Sequence, residues 1–260
     1  MPIVTLTSDW NSSDYYVGSL KGAIHARCSG VDIIDISHQI RNFDVVQGVF
    51  VLRYAFGHFP KGTIHLMAVQ SEPEPLVPMA IVEAQGHHFV GLNDGRFSLL
   101  FEEPPVQAFA LPIPAEPHSF AALSLFTRAV AAIIEERVES EAKPCTLCTE
   151  SQGRPVYTAE EIVGRVIYID SYGNAITNIS RTLFTRVSRG RMFEIFVSVP
   201  SAKLSRIVGA YDEAATGQML ALFNNIGFLE IAINKANLAL LEGLEIHSEI
   251  RIKFYERKGK

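Results

Sequence analysis

The chain is short of cysteine, of long apolar runs and of basic blocks, and each shortage excludes something. Its three cysteines, Cys28, Cys145 and Cys148, cannot all pair with one another, so a disulfide framework is excluded and a reducing compartment fits. A single Cys145-x-x-Cys148 lacks the second ligand pair that a structural zinc needs, so no metal is expected. No apolar run reaches the roughly 18 residues of a membrane span, and MPIVTLTSDW places polar residues where a secretory leader needs an apolar core. A cytoplasmic protein is the expectation. Net charge is −5, and no Lys/Arg block exceeds the terminal ERKGK, which argues against nucleic acid as a partner. Prolines and glycines are scattered, so low complexity and extended disorder are excluded as well.

What is present is a folding chain: 260 residues, 48% apolar and 20% charged, enough for a substantial core and, by length, two modest domains. PIVTLTS, YYVGSLKGAIHARC, VDIIDIS, DVVQGVFVLRYAFGHF and GTIHLMAV alternate extended and helical patterns, which predicts an N-terminal α/β domain with a mostly parallel sheet. FAALSLFTRAVAAIIEERV, from Phe120 to Val138, predicts that domain's last helix. The charged, turn-rich stretch 139–162 reads as a linker between a domain at 1–138 and another at 163–260. In the latter, GRVIYIDSYGNAITNIS, MFEIFVSV, QMLALFNNIGFLEIAIN and EIRIKFYE are short alternating runs, which predicts an antiparallel, barrel-like β domain.

Three stretches hold candidate chemistry. Asp9 directly follows the first strand, where ligands gather in an open parallel sheet, and a carboxylate there can accept two hydrogen bonds from a ribose diol. Asp14 comes later and is expected to cap the following helix. IDSYGNAITNIS gathers Asp170, Asn174, Thr177 and Asn178 around a glycine; the residues read equally as an adenine and ammonium site or as a self-bonded polar turn. AVQSEPEPLVP, from Ala68 to Pro78, is a loop mouth after a buried strand, with two glutamates and no basic residue. His87 and His88 should point to opposite faces of a strand, one packed and one partly exposed, and so cannot easily share an ion.

SDWNSSDYYVGSLKGAI, DISHQIRNFDVVQGVFVLRYAFGHFPKGTIHLMAV, HFVGLNDGRFS, GRVIYIDSYGNAITNIS and NNIGFLEIAIN, in this order, resemble the S-adenosylmethionine hydroxide adenosyltransferase family, adenosine-forming hydrolases related to the fluorinating and chlorinating enzymes. The resemblance implies a homotrimer that binds S-adenosylmethionine, as substrate or ligand and with no further cofactor, at a subunit interface between the N-terminal domain of one subunit and the C-terminal domain of the next. By motif position it makes Asp9 the ribose-diol ligand, Phe43 the aromatic on the nucleoside, Asp170 the partner of the methionine ammonium group and Asn174 the adenine contact. Asn225 stands where relatives commonly have a serine at the amino-acid end.

Family chemistry is attack of water or hydroxide at the ribose C5′ with methionine leaving, aided by an Asp, Arg and His set. Here Gln70 occupies the Asp position and lines the expected site, Leu76 and Val77 stand near the Arg position, and Ala132 aligns with the His. The resemblance therefore implies that the catalytic residues are unassigned, and it leaves two readings. Either hydrolysis is rerouted through Ser71, Glu72 or His118, or the protein is a non-catalytic adenosyl-ligand binder or sensor. A different 5′-substituted adenosine would also suit an altered loop. A purely structural protein would give no reason for Asp9, Phe43, Asp170 and Asn174 to occur together.

Overall fold

Val4 and Leu6 point to one face of the first strand and Thr5 and Thr7 to the other, yet all four are buried. A strand buried on both faces needs helices on both sides of its sheet. The computed structural model describes residues 1–101, 105, 107–113, 119–149, 154–197 and 203–256, and the chain divides into two units, Met1–Glu150 and Ser151–Lys260.

In the first unit the elements are β1 (Ile3–Ser8), α1 (Tyr15–Arg27), β2 (Asp32–Ser37), α2 (Val45–Ala55), β3 (Ile64–Ala68), β4 (Met79–Ala84), β5 (His87–Leu92), α3 (Arg96–Leu100), β6 (Gln107–Ala110), α4 (Ala121–Ile134), α5 (Val138–Glu141) and β7 (Lys143–Pro144). Their sheet runs β2-β1-β3-β5-β4-β6-β7. The first four of these are parallel, as the alternating pattern predicts, and the last three pairings are antiparallel. One face packs on α1 and α4 through Leu20, Ile24, Leu125 and Phe126, all essentially inaccessible. The other packs on α2 and α3 through Leu52, Phe89 and Phe97. Burying each such side chain is worth about 1.5–3 kcal/mol, so these two layers dominate the unit's stability.

The helix predicted from Phe120 to Val138 ends at Ile134: Glu136 adopts a left-handed φ of 54°, which breaks the run before the short α5. His87 is buried and His88 half-buried on β5, the two-faced arrangement expected.

In the second unit β8 (Val156–Tyr157), β9 (Glu161–Ile169), β10 (Ala175–Ser180), α6 (Arg181–Ser188), β11 (Met192–Val197), β12 (Lys203–Leu204), β13 (Met219–Phe223), β14 (Phe228–Ile233), α7 (Leu238–Glu242) and β15 (Glu249–Tyr255) build one antiparallel sheet of order β12-β11-β15-β9-β10-β14-β13, with β8 on β9. It curls into a nearly closed barrel around Ile162, Ile179, Ile195, Leu229, Ile231 and Ile252. Within the stretch 139–162, β7 pairs with β6 and β8 with β9. Among the described residues no helix is long and apolar enough to cross a membrane, and no group of three or more His, Cys, Asp or Glu is placed to hold a metal ion.

Candidate functional site

Loops leave the carboxyl ends of β1, β2 and β3 side by side, and Asp9 ties them together. Its Oδ2 accepts the backbone N–H of Phe43 at 2.9 Å and that of Gln70 at 3.2 Å. Both donors are non-glycine residues in the left-handed region, with φ of 66° and 44°. Such a conformation costs on the order of 1–3 kcal/mol per residue, and a hydrogen bond to a carboxylate returns about 1.5–3 kcal/mol, so one buried oxygen holds both loops in place. Asp9 is 8% exposed, whereas Phe43, whose backbone N–H meets that carboxylate, is 72% exposed. Among the described residues no hydrogen bond to Oδ1 is found.

The neighbouring residues fix Asp9. Ser8 Oγ lies 2.7 Å from His38 Nδ1 and accepts the N–H of Trp10, while His38 Nε2 lies 3.1 Å from Asp35 Oδ1. Desolvation raises the Asp35 carboxyl, but Lys21 and His38 outweigh it and hold the group below its usual range. The N–H of Asn11 is given to His38 O, a second stitch between the β1 and β2 loops. Asp14 occupies the N-cap position of α1 without accepting a cap hydrogen bond; Asn11 Oδ1 instead takes the N–H and hydroxyl of Ser13.

Beyond Gln70 the loop is committed to structure. Ser71 is buried. Glu72 Oε2 accepts the N–H of Ala121 at the start of α4; desolvation pushes its carboxyl up, against the pull of the Ala122 and Ala121 amides. Glu74, Pro75, Leu76 and Val77 form a turn closed by paired backbone hydrogen bonds, with Leu76 90% exposed. Ala132 is buried on α4, and His118 lies outside the described residues. Gln70 and Phe43 thus meet at the Asp9 carboxylate through their backbone N–H groups, and Leu76 presents a bare apolar side chain.

Arg96 was not among the residues singled out from the sequence. It is 1% exposed, and its guanidinium reaches back to the β3 loop, donating to Met67 O at 3.2 Å, Val69 O at 2.9 Å and Gln70 O at 3.3 Å. Its one signal is a lone arginine in the apolar run HFVGLNDGRFSLLF.

The second unit places Asp170 and Asn174 together at the β9–β10 turn. Asp170 Oδ1 accepts the N–H of Tyr172 and of Asn174, both at 2.9 Å, and Oδ2 accepts the Asn174 side-chain amide at 3.0 Å. The turn is self-bonded, and it also lines a cleft of about 720 Å³ with Tyr172, Tyr211, Lys235 and Asn237. Gly173, at a φ of 83°, is required there, since a Cβ would sit 2.1 Å from Asn237 Oδ1. Thr177 and Asn178 are structural: the Thr177 hydroxyl donates to Leu229 O, and Asn178 Oδ1 accepts the Arg165 N–H. The Tyr211 hydroxyl is hydrogen-bonded to Glu230, a buried carboxyl pushed up by desolvation and by the Asp170 charge, with the Tyr211 contact opposing. Asn225 sits on the exposed β13–β14 turn, outside the lining of that cleft. Tyr211 lies before β13, and Lys235 and Asn237 lie together between β14 and α7, so sequence spacing does not join either stretch to the β9–β10 turn.

Residues 4–142 match the SAM hydroxide adenosyltransferase N-terminal domain, and residues 164–251 match the C-terminal domain of the same family. The chain belongs to the SAM hydroxide adenosyltransferase family. Among its relatives, an (R)-S-adenosyl-L-methionine hydrolase of Methanocaldococcus jannaschii is 26% identical over 97% of this chain and 96% of its own length. Another from Thermus thermophilus is 27% identical, with coverages of 94% and 98%. A fluorinase of an Actinoplanes species is 24% identical over 92% of this chain and 93% of its own. The crystal structure of an uncharacterized conserved protein from Thermotoga maritima shares the fold, with a TM-score of 0.81 at 24% identity over 97% of this chain and all of that one.

Proposed function

We propose that this protein binds S-adenosyl-L-methionine and is of the adenosine-forming hydrolase type. The observation that carries this reading is the Asp9 carboxylate, pinned through Oδ2 by two left-handed amides with Oδ1 left over. A buried, preorganised acceptor suits a vicinal diol, and the exposed Phe43 ring suits a nucleoside face. In this reading Gln70 borders the ribose, Asp170 takes the ammonium group, Asn174 takes the adenine edge and Asn225 approaches the amino-acid end. The assembly expected is a cytoplasmic homotrimer with its ligand at the subunit interface.

In the reaction a water oxygen bonds to C5′ as the C5′–S bond breaks; the electron pair leaves on sulfur, giving neutral methionine, and the water gives up a proton. The sulfonium is already an activated leaving group, so alignment and exclusion of competing water are the protein's main tasks. One feature favours a second reading, ligand binding without turnover. Of the groups around Gln70 that could activate water, Ser71 is buried, Glu72 accepts from the start of α4, and Arg96 is saturated by carbonyls and by Asp94. Incubation with S-adenosyl-L-methionine, with adenosine followed by chromatography, separates the two. Adenosine above a heat-killed control supports hydrolysis, and binding with no adenosine supports the second reading.

A further inference from the structure

Among the described residues Arg96 is the largest fully buried side chain, and none of its hydrogen-bond donors is spare. Nε and Nη2 donate to the two oxygens of Asp94, at 2.8 and 2.7 Å. Nη1 donates to Met67 O and Val69 O, and the second Nη2 proton goes to Gln70 O. A guanidinium has five N–H groups in a rigid fork, and here each has an acceptor. Its charge is matched by Asp94 in a bidentate pair, so it offers no cation to a ligand.

The three carbonyls belong to the end of β3 and the first residues of its loop. That backbone turns sharply at Gln70, where φ is 44°, and the turn aims the Gln70 N–H at Asp9 Oδ2. This conformation is costly for a non-glycine residue. Gln70 is gripped from both sides, its N–H by Asp9 and its C=O by Arg96. Gly91 on β5 makes room for the clamp, since a Cβ there would stand 3.2 Å from Arg96 Cδ and 3.5 Å from Met67 O. Asn93, in the same turn, fastens a further segment: its side chain donates to Thr146 O and accepts the Cys148 N–H. The Asn93–Arg96 turn is therefore anchored independently of the loop that it holds.

We propose that Arg96, paired with Asp94, is a positioning residue for the diol site: it fixes the left-handed Gln70 and, through the Gln70 N–H, the carboxylate of Asp9. The proposal rests on the reading of Asp9 as a ribose-diol ligand. It predicts that the clamp governs selectivity between ligands with and without the diol, more than the affinity for the nucleoside as a whole.

The test compares adenosine with 2′-deoxyadenosine by calorimetry in the wild type, in Arg96→Lys and in the charge-balanced double variant Asp94→Asn/Arg96→Met. The wild type should prefer adenosine by about tenfold or more, as expected of a hydrogen bond to a buried carboxylate. The double variant should lose most of that preference while retaining its circular dichroism spectrum and binding 2′-deoxyadenosine as before; Arg96→Lys should fall between. An unchanged ratio in a folded variant overturns the proposal, as does an equal loss for both nucleosides, which is what a merely structural role produces. Where the double variant does not fold, Arg96→Lys carries the comparison. Amide hydrogen exchange at Gln70 and Phe43 gives a ligand-free readout: faster exchange in Arg96→Lys supports the clamp, and wild-type rates contradict it. If the wild type binds neither nucleoside, the Asp9 reading fails, and the exchange measurement still decides whether Arg96 holds the loop.

Discussion

Asp9 Oδ2 and the backbone N–H of Gln70 are 3.2 Å apart, although the residues are 61 positions apart in sequence. The contact joins the ends of β1 and β3 at the point where an open α/β sheet presents its ligand site. Asp9→Asn removes the charge and keeps the shape. Calorimetry should show adenosine affinity falling about tenfold or more, with a thermal midpoint lowered by a few degrees because two strained amides lose a carboxylate partner.

The second unit gives a contrasting case. Asp170 makes three hydrogen bonds within its own turn, so Asp170→Ala should cost stability as well as ligand affinity, by about 2 kcal/mol in a denaturant titration. Gly173→Ala should be as damaging, since it forces a side chain at a φ of 83° into Asn237. A wild-type denaturation midpoint in either variant would contradict this description of the turn.

Glu72 separates a structural role from a chemical one. With Oε2 on the N–H of Ala121 it caps α4, so Glu72→Ala should lower stability by about 1 kcal/mol and leave adenosine affinity unchanged. If the variant instead kept its stability and lost adenosine formation, Glu72 would be the base of a rerouted hydrolysis.

A histidine pair makes the first unit acid-sensitive. Thr5 Oγ1 lies 2.7 Å from His65 Nδ1, and His65 Nε2 lies 3.2 Å from His87 Nδ1, among Phe56, Phe59 and Phe89. Burial, followed by the neighbouring histidines, pushes His65 down to about 3, and burial also lowers His87. An unfolded histidine titrates near about 6.5, so acid protonates the unfolded chain first. Stability is complete above that pH and declines as pH falls from there towards 3. Unfolding free energies from urea titrations should drop more steeply between pH 6.5 and 4.5 in the wild type than in His65→Gln, by about 1 kcal/mol per pH unit. Parallel curves would remove the histidine contribution.

The alternation β1-α1-β2-α2-β3 was legible because apolar period and turn residues agreed, and the place of Asp9 at the carboxyl end of β1 was legible because it directly follows an apolar run. The β4–β5 hairpin was not, since the turn at Gln85 and Gly86 carries few of the usual signals beyond one glycine. Helix α6 was hidden by the polar composition of RTLFTRVS, although Ser180 caps it by accepting the Leu183 N–H. The grouping of Phe43 and Gln70 with Asp9 came from the family resemblance, because backbone amides that converge from distant loops leave no trace in spacing. Arg96 was missed for a related reason: a charged residue in an apolar run reads as solvent-facing, and its acceptors are carbonyls, which no side-chain pattern reveals.

The measurement that bears most directly on the proposed adenosyl site is calorimetric titration of the wild type and Asp9→Ala with S-adenosyl-L-methionine and with adenosine, both proteins verified as folded. The account predicts saturable binding to the wild type and none detectable to Asp9→Ala. Equal affinity in the two proteins, or no binding to the wild type, would contradict it.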